Sequence, residues 1–296
     1  VTGPGFAVHS DIVAPYIINY CSEKQKKYYL PKMISGEIIT AIAMTEPGTG
    51  SDLQNIKTKA TISTDTVTLN GSKTFITNGQ NANLVLVVAK TDTSQKAKGI
   101  SIILCEENNK GFKRGKNLEK IGMKAQDTSE LYFEEVVLPK ENILGNAGQG
   151  FSQLMDELPQ ERLSIAVTAI SAAEAALNWT IAYVKERTAF DKKIIEFQNT
   201  KFTLAKLKAD ITVGRAFIDR CIKEHINNNF SAEDGAIAKL WCTDLQFKVM
   251  DECLQLHGGY GYMKEYPIAR AFLDSRVQRI YGGTNEIMKE IISRNL

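Results

Sequence analysis

The chain has 296 residues, with 36 basic against 34 acidic side chains, and 43% of it is apolar. So even a charge balance offers no basic surface for nucleic acid or for an anionic membrane, and the length allows about two domains with a sizeable core. Five cysteines, Cys21, Cys105, Cys221, Cys242 and Cys253, show no C-x-x-C spacing, which excludes a zinc knuckle, a redox pair or a disulfide framework and reads as core residues in a reducing compartment.

The opening, VTGPGFAVHSDIVAP, has no methionine and no charged segment ahead of an apolar one. It is not a signal peptide and reads as a chain entered in its middle, so a missing address says little about location. No apolar run reaches the ~20 residues that span a bilayer. Residues 6–41 read as helical, with Ser22 as an N-cap and Pro31 as a break. From about 42 to 140 the β-branched and aromatic content rises. In VTLNGSKTFITNG, Val67 and Leu69 alternate with polar residues, Asn70-Gly71 is a hairpin signal, and Phe75 and Ile76 lead to a second Asn-Gly at 78 and 79. ANLVLVVAK and GISIILCEE are buried-strand candidates, and SELYFEEVVLP alternates as another. Together they predict an all-β domain of sandwich or barrel type. GNAGQG, 145–150, marks a boundary. Beyond it helical periodicity predicts helices at about 148–186, 198–227, 232–256 and 284–294, with a shorter one near 265–277, packed as a bundle. The order is helix, then β, then helices. That disfavours a doubly wound nucleotide fold.

Common site signatures are absent. EPGTGSD lacks the Gly-Lys-Ser/Thr ending of a phosphate loop, HGGYGY does not complete G-x-G-x-x-G, and there is no G-x-S-x-G elbow. The three histidines, His9, His225 and His257, are spaced like no metal site. Four stretches stand out only when taken together: MTEPGTGSD at 44–52, FITNG at 75–79, RTAFDKKIIEFQ at 187–198, and QLHGGYGYMKEYPIARAFLDSRVQRIYGGTNEI at 255–287. Singly they read as a loop, a strand end, a solvated helix terminus and a glycine pair between helices.

In their order these elements resemble the acyl-CoA dehydrogenase family, along the whole chain. The resemblance implies an α+β fold: a remnant of an N-terminal helical domain at 1–41, a middle β-barrel or sandwich domain at 42–145 and a C-terminal four-helix bundle at 146–296. It also implies FAD, held by residues of the β and C-terminal domains and partly by a neighbouring subunit of a homotetramer, a dimer of dimers. Met44, Thr45 and Ser51 match the loop that meets the isoalloxazine ring, and Ser51 also lies near the thioester. Phe75, Ile76 and Thr77 match the strand that packs on it, where the family often has tryptophan at the place of Phe75. Arg187 and Phe190 match residues that meet the pyrophosphate and adenine; a guanidinium suits phosphate oxygens. Gln198 falls in the same element. Gln255, Gly258 and Gly259 match the stretch that reaches the FAD of a partner subunit, so Arg187 and Gln255 are expected to serve different FAD molecules. Thr284 and Glu286 follow the turn over the ring system.

The family's usual base is a glutamate at the position of Gly282. A branch that includes the isovaleryl- and long-chain enzymes places its base on another helix, and ELPQERLSIA, 157–166, matches that branch, with Glu161 at the alternative position, followed by Arg162. The PQERL and IYGGTNEIMKE segments look most like the long-chain branch. Glycine keeps its N–H, so Gly282 can still donate to the thioester oxygen, an oxyanion-hole role. Ser152, Pro159, Arg162, Gly282 and Gly283 join Ser51 as expected substrate contacts. Ser152 stands where relatives of this branch often have tyrosine. No metal is expected.

The function implied is oxidation of a fatty acyl-CoA to the trans-2-enoyl-CoA, with electrons passing to an electron-transfer flavoprotein. It would take place in the cytoplasm of a bacterium or the mitochondrial matrix of a eukaryote. The rivals are an acyl-CoA oxidase or flavin monooxygenase on the same fold, and a non-catalytic FAD- or acyl-CoA-binding scaffold. The resemblance also implies that most N-terminal helices precede Val1. In that case Ile12, Val13, Ile17, Ile18, Tyr28 and Leu30 are left uncovered and activity is weak.

Overall fold

The computed structural model describes residues 3–294 and Leu296; Val1 and Thr2, which open the VTGPG stretch, and Asn295 lie outside the described residues. The chain divides into two compact units, Gly3–Lys120 with Lys124–Glu157, and Ile121–Met123 with Leu158 onward.

In the first unit a π-helical stretch, Val8–Val13, runs into α1 (Ala14–Tyr20), and α2 (Glu23–Ser35) follows. Ser22 starts α2 through a capping box with Gln25. Pro31 does not break the helix, contrary to the expectation from sequence. Its ring removes one bond to the Lys27 carbonyl, but Lys27 is exposed and water can replace it. The helix ends instead at Gly36, whose φ of 76° makes the left-handed cap.

Seven strands follow: β1 (Thr40–Ala43), β2 (Lys59–Ile62), β3 (Thr66–Thr77), β4 (Leu84–Lys90), β5 (Ile100–Glu106), β6 (Phe112–Asn117) and β7 (Thr128–Pro139). β5 lies antiparallel along one edge of β4. The other edge of β4 is shared. β1 runs parallel to it from Thr40–Leu84 to Ala43–Val87, and β2 joins at Lys59–Lys90. The sheet continues antiparallel through β3, β7 and β6. Alternation explains why β4 reads as an unbroken apolar run. Its Val85, Val87 and Ala89 face a core with Leu69, Leu131 and Phe133, whereas Leu84, Leu86 and Val88 face a second core with Val13, Tyr16 and Ile17. Val13 and Ile17 are therefore buried against the sheet, not left uncovered as expected. Ile12 and Leu30 are half-buried, and only Ile18 and Tyr28 of that set are exposed.

Asn70-Gly71 is not a hairpin turn. The reversal between β2 and β3 lies earlier, closed by the Ser63 N–H donating to the Thr66 carbonyl at 2.9 Å. Gly71 sits inside β3 at a bulge opposite β7. Its φ is 148°, and a Cβ there would lie 2.7 Å from the Thr58 Cα. Glycine is thus required by close approach of backbone rather than by a turn. Asn78-Gly79 does turn the chain, with Asn78 at φ 63°.

The second unit contains α3 (Gly150–Glu186), within which the division falls, then β8 (Thr188–Ala189), β9 (Lys192–Lys193), α4 (Gln198–Ile226), α5 (Ala232–His257), α6 (Pro267–Ser275) and α7 (Asn285–Ser293). Leu163, Ala166, Ile170, Ala173 and Leu177 recur at helical spacing on α3 and meet Leu207 and Ile211 of α4 and Cys242, Leu245 and Val249 of α5. All five cysteines are buried and free. Among the described residues α3 passes as a membrane span by length and composition, although no unbroken apolar run announces it. Its apolar stripe is the one packed in the helical core. RTAFDKK, read as a helix terminus, is a tight hairpin. Phe190 and Asp191 both adopt positive φ, 52° and 58°, as a mirror-image turn requires.

Gly71→Ala is expected to destabilise the protein by roughly 2 kcal/mol or more, since it adds both a clash and backbone strain. Chemical denaturation measures this; a midpoint equal to wild type would mean that β3 can shift to admit the methyl.

Candidate active site

In the first unit the 44–52 loop is tied to β3 by a buried ion pair. The Lys73 ammonium donates to Glu46 Oε1 at 2.9 Å and to the Met44 carbonyl at 2.8 Å. The Glu46 carboxylate also accepts from the backbone N–H groups of Lys57 and Thr58, at 2.6 and 2.9 Å. Burial pushes the Lys73 amine down to about 8, opposed by Glu46. Burial pushes the Glu46 carboxyl up, but Lys73 and the Thr58 and Lys57 donors outweigh it and hold it below its ordinary value. The Thr74 N–H donates to the Thr45 carbonyl at 2.9 Å. The structure therefore brings Met44 and Thr45 beside the Phe75–Thr77 segment. Phe75 is 67% exposed and held at φ 59°, a flat apolar ring presented at the surface. Ile76 is buried in the sheet core, so only its backbone is available to a ligand, and Ser51 lies exposed on the loop.

In the second unit, Arg187 follows α3 directly and its guanidinium lies 5.7 Å over the Tyr260 ring. Tyr260 follows Gly258 and Gly259, both exposed. Gly258 has φ 58° and ψ −140°, a region essentially closed to side chains, so conformation rather than space demands glycine there. Tyr183, one turn before Arg187, stacks on His257 at 4.3 Å and donates to its carbonyl at 3.2 Å. Arg187 and the end of α5 that bears Gln255 are thus neighbours in one subunit. Phe190 is 88% exposed at the hairpin tip, edge-on to Phe197, and Gln198 is exposed at the start of α4. A cation, glycines with approachable backbone N–H groups and an exposed aromatic ring form a donor set that fits a dinucleotide with a diphosphate. The planar platform of the first unit fits a ring system.

Glu161 and Arg162 are both buried on α3. The Arg162 Nε donates to the Gly282 carbonyl at 3.3 Å. Burial pushes the Arg162 guanidinium down, opposed by Glu161. A side chain at Gly282 would overlap the Cδ1 of Ile165, one turn from Glu161 on the same face of α3, and the φ of 65° at Gly282 is left-handed. Glu161 therefore lies on the helix face that packs on the 281–284 turn. Among the described residues no backbone carbonyl accepts the Gly282 N–H. Ser152 and Pro159 are not on this face. Each points about half a turn away from Glu161 round the helix axis; Pro159 backs onto Gly235, and the Ser152 hydroxyl donates to the Gln149 carbonyl at 2.8 Å. The Thr284 hydroxyl accepts from the Ile287 N–H at 3.3 Å and caps α7, on whose first turn Glu286 is exposed.

Sequence reasoning missed a polar network behind this turn. Lys239 of α5 is fully buried and donates to the Gly283 carbonyl and to Asn285 Oδ1, both at 2.8 Å. The Asn285 amide donates to Thr243 Oγ1 at 3.1 Å and to Asp244 Oδ1 at 2.9 Å, and Asp244 pairs with Arg279 at 2.7 Å. A signal existed. Lys239 occupies a position in the buried stripe Gly235, Ala236, Lys239, Cys242, Thr243 and Gln246, where an apolar residue would be expected.

Family models match three segments: acyl-CoA dehydrogenase N-terminal domain over 1–37, middle domain over 41–136, and C-terminal domain over 148–296. The chain is 53% identical to the mitochondrial long-chain specific acyl-CoA dehydrogenase of Sus scrofa, an alignment covering 100% of this chain and 69% of that one. The crystal structure of an acyl-CoA dehydrogenase from Geobacillus kaustophilus superposes with a TM-score of 0.96 at 50% identity, covering 98% of this chain and 77% of that one. A glutaryl-CoA dehydrogenase from Mycobacterium smegmatis, solved in complex with FADH2, gives 0.93 at 30% identity, covering 98% and 73%.

Lys73→Met is expected to cost about 3–5 kcal/mol, because it strands the Glu46 carboxylate in the interior. Denaturation of the purified variant reads this directly. A loss below about 1 kcal/mol would show that the pair does not anchor the 44–52 loop.

Proposed function

This chain belongs to the acyl-CoA dehydrogenase family and is an FAD-dependent dehydrogenase of acyl-CoA thioesters, and we propose that Glu161 removes the α-proton of a fatty acyl-CoA while the Gly282 N–H holds the thioester oxygen. The observation that carries this reading is the packing of the turn on α3. A Cβ at 282 would meet the end of the Ile165 side chain, one turn from a buried carboxylate.

The α-proton of a thioester is weakly acidic, so its removal needs a base within reach and a donor at the oxygen where charge grows. Glu161 supplies the carboxylate. The apolar neighbour Ile165 limits water around it, and Arg162 ties its helix to the turn. The Gly282 N–H, which has no backbone acceptor among the described residues, would donate to the oxygen. FAD, when bound, accepts the β-hydrogen as hydride. Met44, Thr45, Ser51, Phe75, Ile76 and Thr77 would hold its ring system. Arg187, Phe190, Gln198, Gln255, Gly258 and Gly259 would hold its diphosphate and adenine, with Thr284 and Glu286 near the turn. The product is the trans-2-enoyl-CoA, and the electrons pass on to an electron-transfer flavoprotein. The working assembly is a homotetramer. The reaction takes place in the mitochondrial matrix if the source is eukaryotic and in the cytoplasm if it is bacterial.

Glu161→Gln is expected to retain FAD and acyl-CoA binding while lowering anaerobic flavin reduction by about 10³-fold or more. Reduction at near wild-type rate would remove Glu161 from the base role, and rapid peroxide release without an electron-transfer flavoprotein would point to an oxidase. Returning the carboxylate to the turn requires room. Gly282→Glu with Glu161→Gly is expected to recover some reduction, limited by the left-handed φ at 282 and by the shift it asks of the Ile165 side chain, and adding Ile165→Ala is expected to raise it.

Arg187→Ala is expected to weaken FAD retention and, through linkage, the tetramer. Flavin content and sedimentation read both; a flavin-free variant that stays fully tetrameric at unchanged Tm would separate the two.

A further inference from the structure

We propose that the Lys239 ammonium is a positioning charge for α-proton removal: together with Arg162 it clamps the carbonyls of Gly283 and Gly282 and so aims the N–H groups of the 281–284 turn at the thioester oxygen. This rests on the assignment of Gly282 as the oxyanion donor. It goes further by naming what holds that donor in place.

Two consecutive glycines form the turn, at φ 65° and 87°. Glycine populates both signs of φ with little preference, so such a turn is a hinge unless something outside it fixes its peptides. A peptide is planar, with its C=O and the following N–H pointing in opposite directions. Holding the Gly282 oxygen therefore fixes the Gly283 N–H, and holding the Gly283 oxygen fixes the Thr284 N–H. The Gly282 N–H belongs to the peptide just before these two, and the residue before it is held in turn by the Tyr281 N–H donating to the Val277 carbonyl at 3.2 Å, so that peptide is bracketed on both sides. Arg162 holds the first oxygen from α3 and Lys239 the second from α5. Each helix is anchored in the core of the second unit.

A lysine this deep is costly unless its charge is used. Both of its hydrogen bonds go to neutral amide oxygens, the Gly283 carbonyl and the Asn285 side chain. Asn285 is itself oriented by Thr243 and Asp244, so the amine cannot easily turn away. The charged groups around it come from every side. Arg162 on α3 and Arg279 after α6 repel its charge; Asp244 on α5 and Glu286 on α7 favour it. Burial first, and then Arg162, pushes its amine down to about 8. Two buried cations thus back a turn that faces developing negative charge, an arrangement that favours the transition state over the neutral substrate.

The test uses the FAD-loaded enzyme carrying Glu161→Gln, with an acyl-CoA isotopically labelled at the thioester carbonyl, and reads the carbonyl stretch by difference infrared spectroscopy. A polarised carbonyl is expected at lower frequency than in free acyl-CoA. Adding Lys239→Met is expected to abolish at least half of that shift, and Lys239→Gln, which keeps a donor without a charge, is expected to fall between. In the otherwise wild-type enzyme, Lys239→Met is expected to lower kcat by about 10- to 100-fold with KM changed less than about 3-fold. With Lys239 unmutated, the frequency shift in the Glu161→Gln enzyme is expected to shrink as pH rises through about 8 and the ammonium loses its charge. An unchanged shift and kcat in Lys239→Met, or a shift constant from below to well above that pH, overturns the proposal and leaves Lys239 as a filler of a buried carbonyl. Flavin bleaching during the infrared experiment would instead overturn Glu161 as the base, so the two failures are read separately.

Discussion

A two-glycine turn is the least constrained piece of backbone a protein can build, yet the chemistry proposed for the second unit asks for one N–H fixed in direction. The constraint that reconciles these is the hold on the Gly282 and Gly283 carbonyls by Arg162 and Lys239. The same contact settles where α3 lies. Once Arg162 bonds the turn, Ile165, three residues on, meets it too, and Glu161 one turn earlier lies on that side of the helix. A net hydrogen bond contributes only about 1 kcal/mol to stability, but an unsatisfied buried carbonyl costs about 1–3. The cations thus act less by adding stability than by making every other orientation of the turn expensive.

The first unit solves a similar problem by a different route. Its 44–52 loop is rich in glycine and exposed, yet it has to present Thr45 and Ser51 beside a fixed platform. Glu46 reaches inward to the Lys73 ammonium and two backbone N–H groups, so the loop is pinned at one buried residue while its tip stays open. The platform, Phe75, stands off the sheet because its φ of 59° turns one side chain outward between the buried Thr74 and Ile76. In both units a glycine-containing segment is tied down by a buried charged group immediately behind it.

This explains which features could be read from the sequence. Strands such as Leu84–Lys90 and caps such as Ser22 were legible, because burial on two faces and a capping box leave local patterns. The order of the four site stretches was legible as a resemblance, and the family models match along the chain. What failed were residues whose local signal has two meanings. Asn-Gly makes a turn at 78–79 but a bulge at 70–71, and only the approach of Thr58 decides between them. Pro31 ends a helix only where its lost bond cannot go to water. Lys239 left a trace, a cation in an apolar stripe, but its partner carbonyl lies on a segment no periodicity connects to it.

The two halves of the catalytic pair differ in how freely they can move within one fold. A carboxylate needs only to come near the α-carbon, and any element lining that point can supply it by a single substitution. A backbone N–H cannot be supplied that way, because it belongs to the path of the chain and to whatever fixes that path. Gly282 shows the asymmetry. It carries no side chain, yet the two peptides that follow it are held, one from each of two helices. A base placed on α3 inherits the same geometry, since α3 is one of the two elements that do the gripping. The turn is therefore the fixed reference of the site, and the base is positioned relative to it.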